Sequence, residues 1–179
     1  MQVKKYVGIS AMLLIMACNN ATNQKEAEKD TIATQNNAVT SKNVDFKDGK
    51  VKKIYASYIT LKDALVNTDS KVAQTAAKEL ATELKGYSGC ENTALIAQKI
   101  SESADLAVQR KEFTGLSNDV IAMFKHSELT SGTIYVQHCP MANKGDGGDW
   151  LASEKKIQNP YYGSEMMECG AVIEEIKTK

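Results

Sequence analysis

The stretch VKKIYASYITLKDAL (residues 51–65) sets the class of the fold. Val51, Ile54, Tyr55, Tyr58, Leu61 and Leu65 fall on or near one stripe of a 3.6-residue period, the mark of a helix with one buried face. The polar cluster Asn67-Thr-Asp-Ser70 interrupts it, and Asp69 is placed to cap a second helix. In that helix Val72, Ala76, Leu80 and Leu84 recur every four residues, with Ala73, Ala77 and Ala81 beside them. So much Ala on one side predicts close helix approach. Gly86 is placed to end the helix as a C′ residue. Ser88-Gly-Cys-Glu91 reads as a capping box that opens a third helix carrying Leu95, Ile96, Ile100, Ala104 and Ala107. Phe113, Leu116, Val120, Met123 and Phe124 mark a fourth. The expected spans are 50–67, 70–86, 90–109 and 111–127. Short connections imply antiparallel neighbours, hence a mainly α fold: an up-down bundle of about four helices.

Past Gly132 the period changes. Thr133 to His138 is rich in β-branched and aromatic residues and reads as a strand that Pro140 stops. Asn143 to Asp149 (NKGDGGD) reads as a turn; it lacks the alternate-position acids of a calcium-binding EF-hand loop. Asp149 is placed to cap a short helix from Trp150 to about Ile157, closed by Asn159-Pro160 because the residue before proline avoids the α region. Glu168 to Ile176 is expected to form a second strand paired with the first. The bundle thus gains a small C-terminal β element.

Before residue 50 the chain changes character. Lys4 and Lys5, the apolar run Tyr6–Ala17, and Ile15-Met-Ala-Cys18 have the layout of a lipoprotein signal peptide over 1–17, with Cys18 as the acceptor. Lipidated there, the chain is membrane-bound through its anchor on the bacterial cell envelope, at the periplasmic side or the outer membrane. Residues 18–49 are rich in Asn, Thr, Gln, Lys and Glu and poor in large apolar groups, which predicts a flexible tether. Residues 50–179 form the domain.

With 22 basic and 22 acidic residues the chain has no net charge, against the basic footprint of a nucleic-acid-binding protein. No apolar run reaches the roughly 18 residues of a mature transmembrane helix.

The C-terminal third concentrates His138, Cys139, Met141, Met166, Met167 and Cys169. Thiolate, thioether and imidazole are the ligand types that suit Cu(I). In extended chain, residues i and i+2 share a face, so Cys139 and Met141 are expected to point together and His138 away. If 166–169 is extended, Met167 and Cys169 share a face; if helical, Met166 and Cys169 do. The alternative is that the methionines pack in the core and that a Cys139–Cys169 disulfide closes a loop of about 30 residues. Cys90 is then left over. Neighbours on a strand diverge, so His138 cannot serve Cys139 as a catalytic base, and His126 reads as a cation at a helix end. GxSxG, P-loop and HExxH motifs do not occur, and no enzymatic activity is expected.

Gln137-His-Cys-Pro-Met-Ala142, Asp149-Trp-Leu, Ile157-Gln-Asn-Pro-Tyr-Tyr-Gly163 and Met167-Glu-Cys-Gly170, together with Tyr58–Leu65 and Gln109–Ser117, resemble the DUF3347 domain over about residues 50–176. Cys90 lies outside that pattern. Such domains occur as stand-alone bacterial lipoproteins and fused to periplasmic adaptor subunits of CusB-like heavy-metal efflux pumps. Cys139-Pro-Met141 is also similar to the CPM element of small heavy-metal-binding domains. The resemblance implies a link to metal handling and brings no assigned activity. The expectation is a lipid-anchored envelope protein that binds a soft ion, Cu(I), for an efflux or buffering system with heavy-metal efflux components as partners. The alternative is a non-catalytic helical protein-interaction module with a structural disulfide.

Overall fold

The computed structural model describes residues 44–179. Cys18, the expected signal peptide and most of the expected tether lie outside them. Val44 and Phe46 lie within the stretch expected as tether, yet both are buried, and Asp45–Phe46 forms a short strand, β1. The Phe46 ring explains this: it lies 5.4 Å from Tyr55 and 5.3 Å from Phe124, completing an aromatic trio with those two core residues.

Four helices follow: α1 (Gly49–Val66), α2 (Ser70–Lys85), α3 (Glu91–Glu102) and α4 (Leu106–Lys125). Consecutive helices pack side by side, so the expected bundle is present. The stripe read from residues 51–65 is buried throughout. In α2 the buried face is the alanine one: Ala73, Ala76, Ala77 and Ala81 are inside, whereas Val72 is exposed. Small side chains win that face because they let neighbouring helices approach. Leu95 is likewise exposed, and Ile100 and Ala97 take the inner positions of α3.

Helix ends differ from expectation in three places. The third helix stops at Glu102 because Ser103 and Asp105 start the next one: the Asp105 carboxylate accepts from the Ala107 N–H at 2.8 Å. The capping box at Ser88 does not form; Cys90 is the N-cap, without a side-chain cap bond, and Glu91 accepts from the Gly89 N–H instead. Gly86 is the C-cap of α2 with φ −80, not a left-handed C′ residue. Asp69 caps α2 as expected, accepting from Lys71 and Val72.

Beyond α4 come β2 (Leu129–Ser131), β3 (Thr133–Cys139), β4 (Gly148–Ala152) and β5 (Ala171–Lys177). β1 and β2 form a two-stranded sheet, and a three-stranded antiparallel sheet has the order β4-β3-β5. β5 pairs with β3 as expected. The expected helix Trp150–Ile157 is instead strand β4 followed by bends. Trp150, Leu151 and Ala152 are all buried, and hairpin pairing with β3 (Gln137 opposite Trp150, His138 opposite Asp149) outweighs the local capping signal at Asp149. On one side the sheet meets the helices, where the Leu151 N–H donates to the buried Tyr58 hydroxyl. The 153–170 segment is held to it through Gln137, whose side-chain amide donates to the carbonyls of Glu154 and Lys156. No helix among the described residues is long and apolar enough to cross a membrane.

Candidate functional site

β3 ends at Cys139, which is fully buried. Its sulfur lies 2.8 Å from that of Cys169, thirty residues further along the chain. That separation is longer than a disulfide bond and shorter than two thiolates on one metal would adopt. Cys169 sits outside regular structure, and main-chain and buried polar groups fix its position. Its N–H donates to the Met166 carbonyl at 3.1 Å, and the Met167 carbonyl accepts from the Asn159 N–H at 3.0 Å. The buried Asn159 side chain donates to the Cys169 carbonyl at 3.0 Å and accepts from the Tyr161 N–H at 2.8 Å. The next residue must be glycine: Gly170 has φ +143, and a Cβ there would stand 2.7 Å from the His138 carbonyl oxygen and 3.1 Å from the Trp150 ring. The turn is thereby pressed against the end of β3, which brings the two sulfurs together.

The neighbouring Cys139 thiol, foremost, and then burial hold the Cys169 thiol above its ordinary range, while the Met141 backbone N–H, which bonds the Cys169 sulfur, works the other way.

The thioethers are arranged less simply. Pro140 turns the chain, and Met141 takes helical backbone angles (φ −89, ψ −10), so the alternation that would have aligned its side chain with Cys139 stops at Cys139. The Met141 side chain is 53% exposed, and its main chain makes the contacts: its carbonyl accepts from the Tyr162 hydroxyl at 2.6 Å. Met166 and Met167 are half-buried in a turn that is neither extended nor helical. Among the described residues no group of three or more His, Cys, Asp and Glu side chains gathers in a way that could hold a metal ion.

His138 leaves β3 on the face opposite Cys139, as strand alternation requires. Its Nδ1 lies 2.6 Å from Asp149 Oδ1, its cross-strand partner. The pair opens into a cleft of about 460 Å³ against α4, lined also by Lys111, Thr114, Asn118 and Asp146. Asn143 braces the cleft, its carbonyl oxygen accepting from Thr114 and its amide donating to the Gly147 carbonyl. Asp149, Asn159 and Gly170 are the positions that the sequence reading did not place at the site. Asn159 had a legible signal, because Asn before Pro commonly bonds its side chain to nearby main chain.

A helical bundle bearing a thiol pair at the end of a small antiparallel sheet is the class of protein that this geometry defines. Residues 54–132 match the model of the family described as "protein of unknown function (DUF3347)". The match spans the helices from early α1 to the end of β2 and stops before β3; the thiol pair lies beyond it. No curated protein and no solved structure matches the chain.

Proposed function

We propose that this is a lipid-anchored protein of the bacterial cell envelope that takes up a soft monovalent ion, Cu(I), on Cys139 and Cys169 and buffers it or passes it to heavy-metal efflux components. The observation that carries the reading is the meeting of two thiols from distant segments at 2.8 Å. Thiolates are soft ligands, and two of them satisfy Cu(I). Two metal–sulfur bonds of about 2.3 Å in a straight line set the sulfurs about 4.6 Å apart, so uptake opens the pair. The Cys169 turn is the side that yields, since Cys139 is locked in the central strand. Thioethers from Met141 and from Met166 or Met167 complete the ligand set as the turn moves, and His138 stays on the far face with Asp149.

The test is a Cu(I) titration of the reduced full chain, with Cys18→Ala so that the anchor cysteine does not compete, read against a chromophoric chelator. Cys139→Ser is expected to remove one equivalent of bound Cu(I), and Met141→Leu to weaken that equivalent with the fold intact. Equal stoichiometry and affinity with and without Cys139 would overturn the reading. The full burial of Cys139 beside Cys169 favours a second reading, a structural disulfide. Thiol counting on protein purified without reductant separates the two: neither cysteine then reacts, and reduction lowers the melting temperature without creating a copper site.

A further inference from the structure

The two thiols of the pair differ in a respect that metal uptake does not use, namely access. Cys139 is fully buried, and the residue facing it across the hairpin is Gly148. A Cβ on Gly148 would stand 2.6 Å from the Tyr161 ring, so that ring closes the sheet over this position. Cys169 is half-buried, stands in a turn, and receives the Met141 N–H at its sulfur. One sulfur is therefore shut away from reagents in solution, and the other is within their reach.

The contact itself is closer to a bond than to a metal site. Closing from 2.8 Å to a disulfide takes a movement of about 0.8 Å, less than the opening that a shared metal requires. An oxidising compartment, where the proposed anchor would hold the chain, drives contacting thiols in that direction. A disulfide has no thiolate to offer a metal, so the copper reading needs a reaction that returns the dithiol.

We propose that Cys139 and Cys169 are a reversible dithiol–disulfide couple that exchanges with an external dithiol through Cys169 alone. As a gate on the copper site this rests on the reading above; as chemistry it stands apart from it. In the reducing direction a thiolate of the external dithiol attacks the Cys169 sulfur of the disulfide. The sulfur–sulfur bond breaks, and Cys139 leaves with the electron pair and takes a proton. The second thiolate of the reductant attacks its own sulfur in the mixed disulfide, and Cys169 leaves and is protonated. One disulfide and one dithiol have become one dithiol and one disulfide, with two electrons and two protons passed to the pair. A dithiol is required because the freed Cys139 stands next to the mixed disulfide and expels a monothiol by re-forming the original bond. The Met141 N–H at the Cys169 sulfur favours the thiolate that leaves in the second step.

The experiment uses the full chain with Cys18→Ala and Cys90→Ser, which leaves Cys139 and Cys169 as the thiols of the four cysteines. Serine is a favoured residue at the N-cap of α3, where Cys90 stands. Oxidised glutathione is expected to convert the reduced chain to the intramolecular disulfide, read by alkylation and mass spectrometry. Dithiothreitol should then reduce the folded chain at a rate proportional to its concentration, with the circular dichroism unchanged. Thioredoxin run beside it distinguishes a protein donor from a small-molecule one, and reduction by either supports the couple. In chains that also carry Cys139→Ser or Cys169→Ser, oxidised glutathione should add to Cys169 at least about tenfold faster than to Cys139. The rate measurement on the intact pair needs neither of these substitutions. Three results overturn the proposal: no intramolecular disulfide forms; reduction is independent of dithiothreitol concentration and matches the unfolding rate, the mark of a bond opened only by unfolding; or glutathione adds to Cys139 as fast as to Cys169. The copper reading fails on a different observation, the Cu(I) titration of the chain kept reduced.

Discussion

At the scale of single residues, Cys169 is poised by groups that do not themselves ionise: the Met166 carbonyl, the Asn159 amide and the close contact at Gly170. Its raised thiol has a consequence for stability. A group whose folded-state pKa lies above its unfolded value binds its proton more tightly when folded. That contribution is fully present below the unfolded thiol value of about 8.5 and is lost as pH rises through the higher folded value. Urea denaturation of the reduced protein from pH 7 to 10 should therefore show an alkaline fall in stability that Cys169→Ser makes shallower. Gly170→Ala should destabilise more directly, by at least about 1–3 kcal/mol, because it adds both an unfavourable φ and a Cβ overlapping main chain. A shift in urea midpoint at constant slope checks this. The meeting of Cys139 with Cys169 was legible as two sulfur clusters separated in sequence. The behaviour of Met141 was not, because alternation holds only while the chain stays extended, and the turn after Pro140 depends on packing against Tyr162.

At the scale of elements, one hydroxyl joins three of them. Tyr58 of α1 lies 2.6 Å from Ser117 of α4 and accepts the Leu151 N–H of β4 at 3.1 Å, all in the buried interior. β4 is an edge strand, and this N–H would otherwise be a buried donor without a partner. Tyr58→Phe keeps the ring stacked on Phe113, 5.6 Å between centroids, yet strands the Leu151 N–H. The expected loss is about 1–3 kcal/mol, measured by chemical denaturation, with the helices intact by circular dichroism. The helices themselves were readable from residues 51–65 and 72–84, since 3.6-periodicity is a local property. β4 was not: Asp149-Trp150-Leu151 carries a helix-start signal, and only its pairing with Gln137 and His138 makes it a strand. The boundary at Asp105 was missed for a different reason: the apolar pattern runs on through Ala104 and Ala107, and the cap alone breaks it.

At the scale of the whole molecule, the family match covers the helices, while the thiol pair lies beyond it, where Cys139 ends the central strand of the sheet that follows. The proposed anchor lies at the other end, at Cys18. Cys18→Ser is expected to move the protein from the membrane fraction to the soluble fraction and to abolish labelling by a fatty-acid probe. Continued membrane association would remove the anchor from the account.

Trp150 is the chain's single tryptophan, fully buried, with its indole N–H unpartnered in the protein and its ring against Gly170, the residue after Cys169. The molecule therefore carries its own optical gauge. Intrinsic emission comes from one indole in an apolar setting beside the turn that has to move when the sulfurs part. Closure of a disulfide or arrival of a heavy ion next to that turn should quench it, and the change should vanish in Cys139→Ser. The colour and brightness of one side chain thus report the state of the thiol pair without any label.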